Sequence, residues 1–177
     1  MAVNLLRLIR RLSFLSDARR LEWYPPFWLM RVKVLELAPD WSVVRLRLPL
    51  NMVSRNMGDT MFGGWQAALA DPVAALACAK RFPGHDVWTR RQTLDFRKVG
   101  NSDLELRFVF DPRQAEAIAA ELRERGRSTP TFTYGFYRAD GELCTWVENT
   151  VAIRPEGYLT GHRGAWRDGK GRGPRDE

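Results

Sequence analysis

The sequence predicts an α+β fold in which a mostly antiparallel sheet wraps around one long helix. Three observations carry this. One extended helix-forming run, residues 63–81, opens on Gly63-Gly64 and is closed by Pro83 and Gly84. Six stretches alternate apolar and polar residues with a period of two, the pattern of half-buried strands. Short turn-forming segments join several of these stretches, so consecutive strands run in opposite directions.

The elements follow in order. Leu5, Leu6, Ile9, Leu12 and Leu15 recur at helical spacing with arginines between them, which predicts a basic amphipathic helix over 1–22. Its apolar face suits packing on the domain; the sharper alternative is contact with a membrane surface or a partner. The Pro-Pro pair of "WYPPFW" ends this region and turns the chain. "MRVKVLEL" (30–37) and "SVVRLRLPL" (42–50) form a hairpin across "APDW". A glycine-punctuated loop leads into the long helix.

Beyond the helix, "VWTRRQTLDFRK" (87–98) and "DLELRFVF" (103–110) read as strands joined by "VGNS". "DPRQAEAIAAELRERG" (111–126) is a short helix with an aspartate cap, a proline in its first turn and a terminal glycine. The last hairpin is "TFTYGFYR" (131–138) and "ELCTWVENTVAIR" (142–154), turning at Ala139-Asp140-Gly141. After Pro155 the periodicity gives way to glycine and charge, predicting a flexible basic tail over 156–177 and a domain spanning 23–155.

Composition bounds the function. A chain of 177 residues can bury one core of ordinary size, and 45% hydrophobic content with seven tryptophans argues against disorder. A formal charge of +7 fits a nucleic-acid binder or an enzyme of phosphate-bearing substrates. No nucleic-acid-binding motif accompanies it, and the basic residues are scattered over the first helix, one strand and the tail. Cys78 and Cys144, far apart in apolar surroundings, suit reduced thiols and a cytoplasmic location. No Cys/His cluster suggests a metal. Arg7, Arg10 and Arg11 interrupt the first apolar run and no small-residue cleavage site follows, so no leader is expected. No run reaches the ~18 apolar residues of a membrane span.

The chemistry concentrates in "RNMGDTMFGGWQAALAD" (55–71). Glycines at a helix start let the backbone N–H groups of Gly63, Gly64 and Trp65 face a ligand oxygen, helped by the positive end of the helix dipole. Asp71 falls on a face made of Ala67, Ala68, Ala74 and Ala75, where a carboxylate would be poorly solvated and suited to act as a base near neutral pH. Gly64 and Asp71 are separated by about 10 Å of helix. That is too far for the acid to reach a carbonyl held at its own helix start. A second chain packed antiparallel would bring each chain's glycines to the other's acid, so an obligate dimer is predicted.

Other candidates surround this stretch. Phe62, Trp65 and Gln66 could contact substrate or pack in the core. Arg90, Arg91, Arg97 and Lys98 form a basic region beside the helix start that could pair with phosphates or lie solvated. Along a straight strand Thr89 shares its phase with Arg91, Thr93 and Asp95, opposite Trp88, Leu94 and Phe96, and would point away from an apolar core.

The order of elements resembles the hot-dog fold, and the quoted stretch resembles its central-helix signature. In PaaI-like acyl-CoA thioesterases an Asn is followed six residues on by His-Gly-Gly, then by an Asp seven residues past the second glycine. Asn56, Phe62-Gly63-Gly64 and Asp71 fall at those spacings. "YPPF" (24–27), "RNMGDTMFGG" (55–64) and "ADP" (70–72) are more similar still to a bacterial branch of unassigned function, over residues 20–154.

The resemblance implies hydrolysis of an acyl-CoA or acyl-carrier-protein thioester. No cofactor is implied; coenzyme A enters only as part of the substrate. The family's sites are clefts at a twofold interface, which implies a homodimer and leaves open a tetramer built as a dimer of dimers. The Asn56 position orients the attacking water or the carboxylate in that family, whereas a turn residue holding its own loop is the plainer alternative. Relatives often carry Ser or Thr facing the site where Thr89 lies.

Two departures stand out. Phe62 replaces the usual histidine. Pro72 follows the acid inside the helix, removing a backbone hydrogen bond, and should kink or loosen the turn before it. Loss of the histidine makes binding without turnover the alternative function. A dehydratase needs a catalytic histidine, and neither His85 nor His162 lies where that chemistry requires; a serine hydrolase lacks its GxSxG.

Overall fold

The computed structural model describes residues 16–158. The predicted helix before residue 16, with its membrane or partner contact, and the tail beyond residue 158 lie outside the described residues. The elements are α1 (Asp17–Glu22), α2 (Pro25–Leu29), β1 (Lys33–Leu37), β2 (Val43–Leu48), α3 (Gly63–Arg81), β3 (His85–Phe96), β4 (Leu104–Val109), α4 (Pro112–Arg125), β5 (Thr131–Tyr137) and β6 (Leu143–Pro155).

The proline pair does not turn the chain. Pro25 and Pro26 form the first turn of α2, where missing N–H groups cost nothing because those positions have no intrahelical acceptor. Elsewhere local chemistry acts as read. Asp111 accepts from Arg113 N at 2.8 Å to start α4, and Gly126 ends it at φ +64°.

Six strands form one sheet in the order β1-β2-β4-β5-β6-β3, with every neighbouring pair antiparallel. The two edges differ. β1 has five residues, an irregularity between Val34 and Glu36, and exposed Lys33 and Glu36. β3 has twelve residues, and its outer side pairs with no strand among the described residues.

Alternation sets the core. Val44, Leu46 and Leu48 of β2 and Leu104, Leu106 and Phe108 of β4 are buried, as are Phe132, Tyr134 and Phe136 of β5. They meet Leu69, Val73 and Ala77 of α3, so the sheet closes over the central helix. Each such Leu or Phe contributes roughly 1.5–3 kcal/mol by leaving water. Phe108 anchors an edge-on aromatic cluster, with ring centroids 6.0 Å from Phe110 and 5.4 Å from Tyr134. Cys78 and Cys144 are buried free thiols. Among the described residues no helix is long and apolar enough to cross a membrane.

Candidate active site

The loop before α3 is held by its own polar groups. Asn56 Oδ1 accepts from Gly58 N at 2.9 Å and Thr60 N at 3.1 Å, while its Nδ2 donates to Thr60 Oγ1 at 2.9 Å. Met61 N donates to Gly100 O and Phe62 N to Ser54 O, each at 2.8 Å. Trp65 Nε1 donates to Val53 O at 2.8 Å, so its indole ties the helix to this loop. These bonds fix how the chain enters the helix. They also leave Asn56 engaged as the loop's organiser while its residue lines the cleft described next.

Gly63 and Gly64 are the first residues of α3, so their N–H groups have no intrahelical acceptor. Among the described residues neither donates elsewhere. Two phenyl rings explain why side chains are excluded here. A Cβ on Gly63 would sit 2.9 Å from Phe96 Cζ, and one on Gly64 would sit 2.3 Å from Phe62 Cε1. The Phe62 ring therefore lies against the helix start, 49% exposed.

A cleft of about 390 Å³ opens beside this helix start, lined by Asn56, Thr60, Met61, Gly63, Gln66 and the segment Phe96–Gly100. It brings together five predicted candidates, Asn56, Gly63, Gln66, Arg97 and Lys98. Phe62, Gly64, Trp65, Asp71, Thr89, Arg90 and Arg91 lie outside its walls. Arg97 pairs with Asp95 at 2.8 Å and stacks over Trp146 at 5.3 Å, while Lys98 pairs with Glu142 at 2.8 Å. Arg90 and Arg91 are exposed.

The expected phase of β3 is wrong for its first half. Thr89 pairs with Val151 and Arg91 with Thr150, so Arg90 is an extra, bulged residue. The bulge exchanges the faces. Val87 and Thr89 point toward α3 on one side of it, and Gln92, Leu94 and Phe96 on the other. Trp88 lies on the opposite face, stacked 5.6 Å from Tyr158.

Polar side chains of β3, β5 and β6 donate to α3 backbone carbonyls. Thr89 Oγ1 donates to Asp71 O at 2.6 Å and Asn149 Nδ2 to the same oxygen at 3.1 Å. Tyr134 Oη donates to Ala70 O at 2.8 Å and Gln92 Nε2 to Ala67 O at 3.2 Å. Burial pushes the Tyr134 phenol above its ordinary range, so it remains a donor. The helix runs unbroken through Pro72, and these bonds surround the turn that the proline weakens.

Asp71 itself is exposed in the single chain, as is Ala68, whereas Ala67 and Ala75 are half-buried and Ala74 is fully buried, so the carboxylate sits at the open margin of the alanine-rich face. Small side chains make a helix face narrow without hiding it. Deep inside, Thr145 Oγ1 donates to Gln66 Oε1 at 2.6 Å. No motif marks Thr145 or Asn149. The signal was there: they occupy the same alternation phase as Val147, Val151 and Ile153, polar residues in an apolar register.

His85 is at the far end of α3, its Nδ1 3.2 Å from Phe82 O and from Pro83 O. Among the described residues no group of three His, Cys, Asp or Glu side chains could hold a metal.

A six-stranded antiparallel sheet in this order, wrapped around one long helix, defines the hot-dog fold. The fold matches a Pseudomonas aeruginosa protein of unknown function, PA5026, described as a probable thioesterase, with a TM-score of 0.70 and 20% identity over 78% of this chain and 93% of that one. It also matches the thioesterase HI1161 of Haemophilus influenzae, with a TM-score of 0.60 and 11% identity over 80% and 92% of the two chains. A mutant of the phenylacetic acid degradation protein PaaI of Thermus thermophilus gives a TM-score of 0.52 and 21% identity over 73% and 98%. No curated protein sequence matches the chain. Residues 15–153 match the model of a domain of unknown function, DUF4442, and the chain belongs to that family.

Proposed function

We propose that the protein hydrolyses an acyl thioester, carried on coenzyme A or an acyl-carrier protein, at a site shared between two copies of the chain. The observation behind this is the arrangement on α3. Unengaged N–H groups of Gly63 and Gly64 begin the helix, a cleft opens beside them, and the exposed carboxylate of Asp71 lies about 10 Å further along.

The thioester carbonyl oxygen would accept from the glycine N–H groups, which stabilise the negative charge that develops there. Asp71 of the second copy takes a proton from water as its oxygen attacks the carbonyl carbon. The C–S bond breaks as the tetrahedral intermediate collapses, and the departing thiolate recovers the proton. Asn56 and Gln66 would border the acyl end from the cleft walls, with Phe62 and Trp65 beyond them. Arg90, Arg91, Arg97 and Lys98 offer charge to the phosphates of the carrier.

Phe62 favours a second reading, binding without turnover, because it stands where the PaaI-like signature that the sequence resembles has a histidine. A panel of acyl-CoA and acyl-carrier-protein thioesters, followed by a thiol-detecting dye, separates the two. Hydrolysis by the wild type that falls on the order of 100-fold or more in Asp71→Asn supports the enzyme. Equal, near-zero rates with binding retained support the binder. A stable monomer with undiminished activity would overturn the shared site.

A further inference from the structure

We propose that Gln66 is a second donor to the substrate's carbonyl oxygen, and that Thr145 holds it in that role; this rests on the acyl-thioester reading above. Gln66 is only 2% exposed, yet it lines the cleft. Its Oε1 is taken by the Thr145 hydroxyl at 2.6 Å. An amide is planar, so fixing the oxygen fixes the nitrogen at the opposite end. Among the described residues Nε2 meets no acceptor, and it is not one of the unpartnered atoms sealed from solvent. With its oxygen bonded to Thr145 and its nitrogen open to solvent, the amide keeps a donor available to a ligand oxygen that displaces water from the cleft.

Its position suits that role. Gln66 is three residues past Gly63, one turn along the same side of α3, and both line the cleft. The pair offers an amide N–H from the backbone and another from a side chain to one small volume. An oxygen with two lone pairs, such as a thioester carbonyl, fits that donor set; a phosphate would ask for cationic or further N–H donors. Thr145 is 0% exposed and comes from β6, a strand packed against α3, so it does not touch the cleft. It acts through Gln66 and is a positioning residue.

The test uses the full-length protein and pairs of acyl-CoA analogues in calorimetric titrations. One member has CH2 in place of the thioester sulfur, leaving a ketone; the other has CH2 in place of the carbonyl as well. Butanoyl, decanoyl and phenylacetyl pairs cover short, long and aromatic groups. The wild type should prefer the ketones. Combining Gln66→Met with Thr145→Val removes both polar partners, so neither is left buried and unpaired. It should weaken ketone binding about tenfold while changing the carbonyl-free analogues by less than about twofold.

Thr145→Val alone should give part of that loss and Thr145→Ser should restore it, which a purely structural pair would not do. Equal weakening of both members of a pair, or no weakening, overturns the assignment while the thioester reading stands. A wild type that binds none of the ketones overturns both.

Discussion

Replacing Gly64 with alanine would put a methyl carbon 2.3 Å from Cε1 and 2.8 Å from Cζ of Phe62. Ordinary contact begins near 3.4 Å, so the ring must retreat by about 1 Å or more. It can, because it is a side chain with half its surface in water. If it swings fully away, the covered half of a phenyl group, ~100 Å², is exposed at a cost of up to about 2.5 kcal/mol. Alanine returns up to about 1 kcal/mol of helix propensity. Gly64→Ala should therefore cost up to about 1.5 kcal/mol in the wild type, and be neutral or stabilising by up to about 1 kcal/mol in a Phe62→Ala background. Guanidinium unfolding of all four proteins at one protein concentration measures the coupling. A coupling below about 0.5 kcal/mol would show that Phe62 is not what requires glycine there.

Gly135 offers a contrast: a Cβ there meets Leu143 Cδ1 at 2.5 Å and the Thr145 carbonyl oxygen at 2.9 Å, inside paired strands. Since backbone cannot swing aside, Gly135→Ala should lower unfolding free energy by about 3 kcal/mol, and a loss under about 1 kcal/mol would contradict the geometry. The carboxylate of Glu105 is held down to about 2 by hydrogen bonds from Arg107 and Arg45, against an ordinary value of 4.5. Its folded-state value is depressed, so its stabilisation is complete above pH 4.5 and is lost as pH falls toward 2; Glu105→Gln should remove about 1 kcal/mol of that acid-sensitive stability, after screening, in unfolding curves taken between pH 6 and 2. Burial pushes the Cys78 thiol up to about 12, so iodoacetamide at pH 8 should label Cys78 only as fast as the protein opens, and prompt labelling would refute its burial.

Much of the fold is legible in the residues because local chemistry and long-range packing agree there. Gly63-Gly64 and Pro83-Gly84 bound α3, and the Ala139-Asp140-Gly141 turn fixes the last hairpin, with Gly141 at φ +83°. What escapes reading has a physical cause in each case. Arg90 and Arg91 are polar whichever face they take, so the inserted residue of the bulge leaves no mark in the alternation and Thr89 is assigned to the wrong side. Alanines around Asp71 are compatible with either a buried or an open face. Gln66 and Thr145 are 79 residues apart, and only the closure of the sheet over α3 makes them partners. The proline pair of α2 could have been read correctly, since proline is at home in a helix's first turn.

The two margins of the sheet have unequal futures. β1 is short, irregular and carries exposed Lys33 and Glu36, features that discourage a stranger's strand from adding to it. β3 is twelve residues long, and about every second one turns its backbone N–H and C=O to the outer side. A ribbon with one receptive margin and one refractory margin cannot propagate. Any joining of copies through β3 would use up the receptive margin of both, so growth by strand addition along that route stops at two chains.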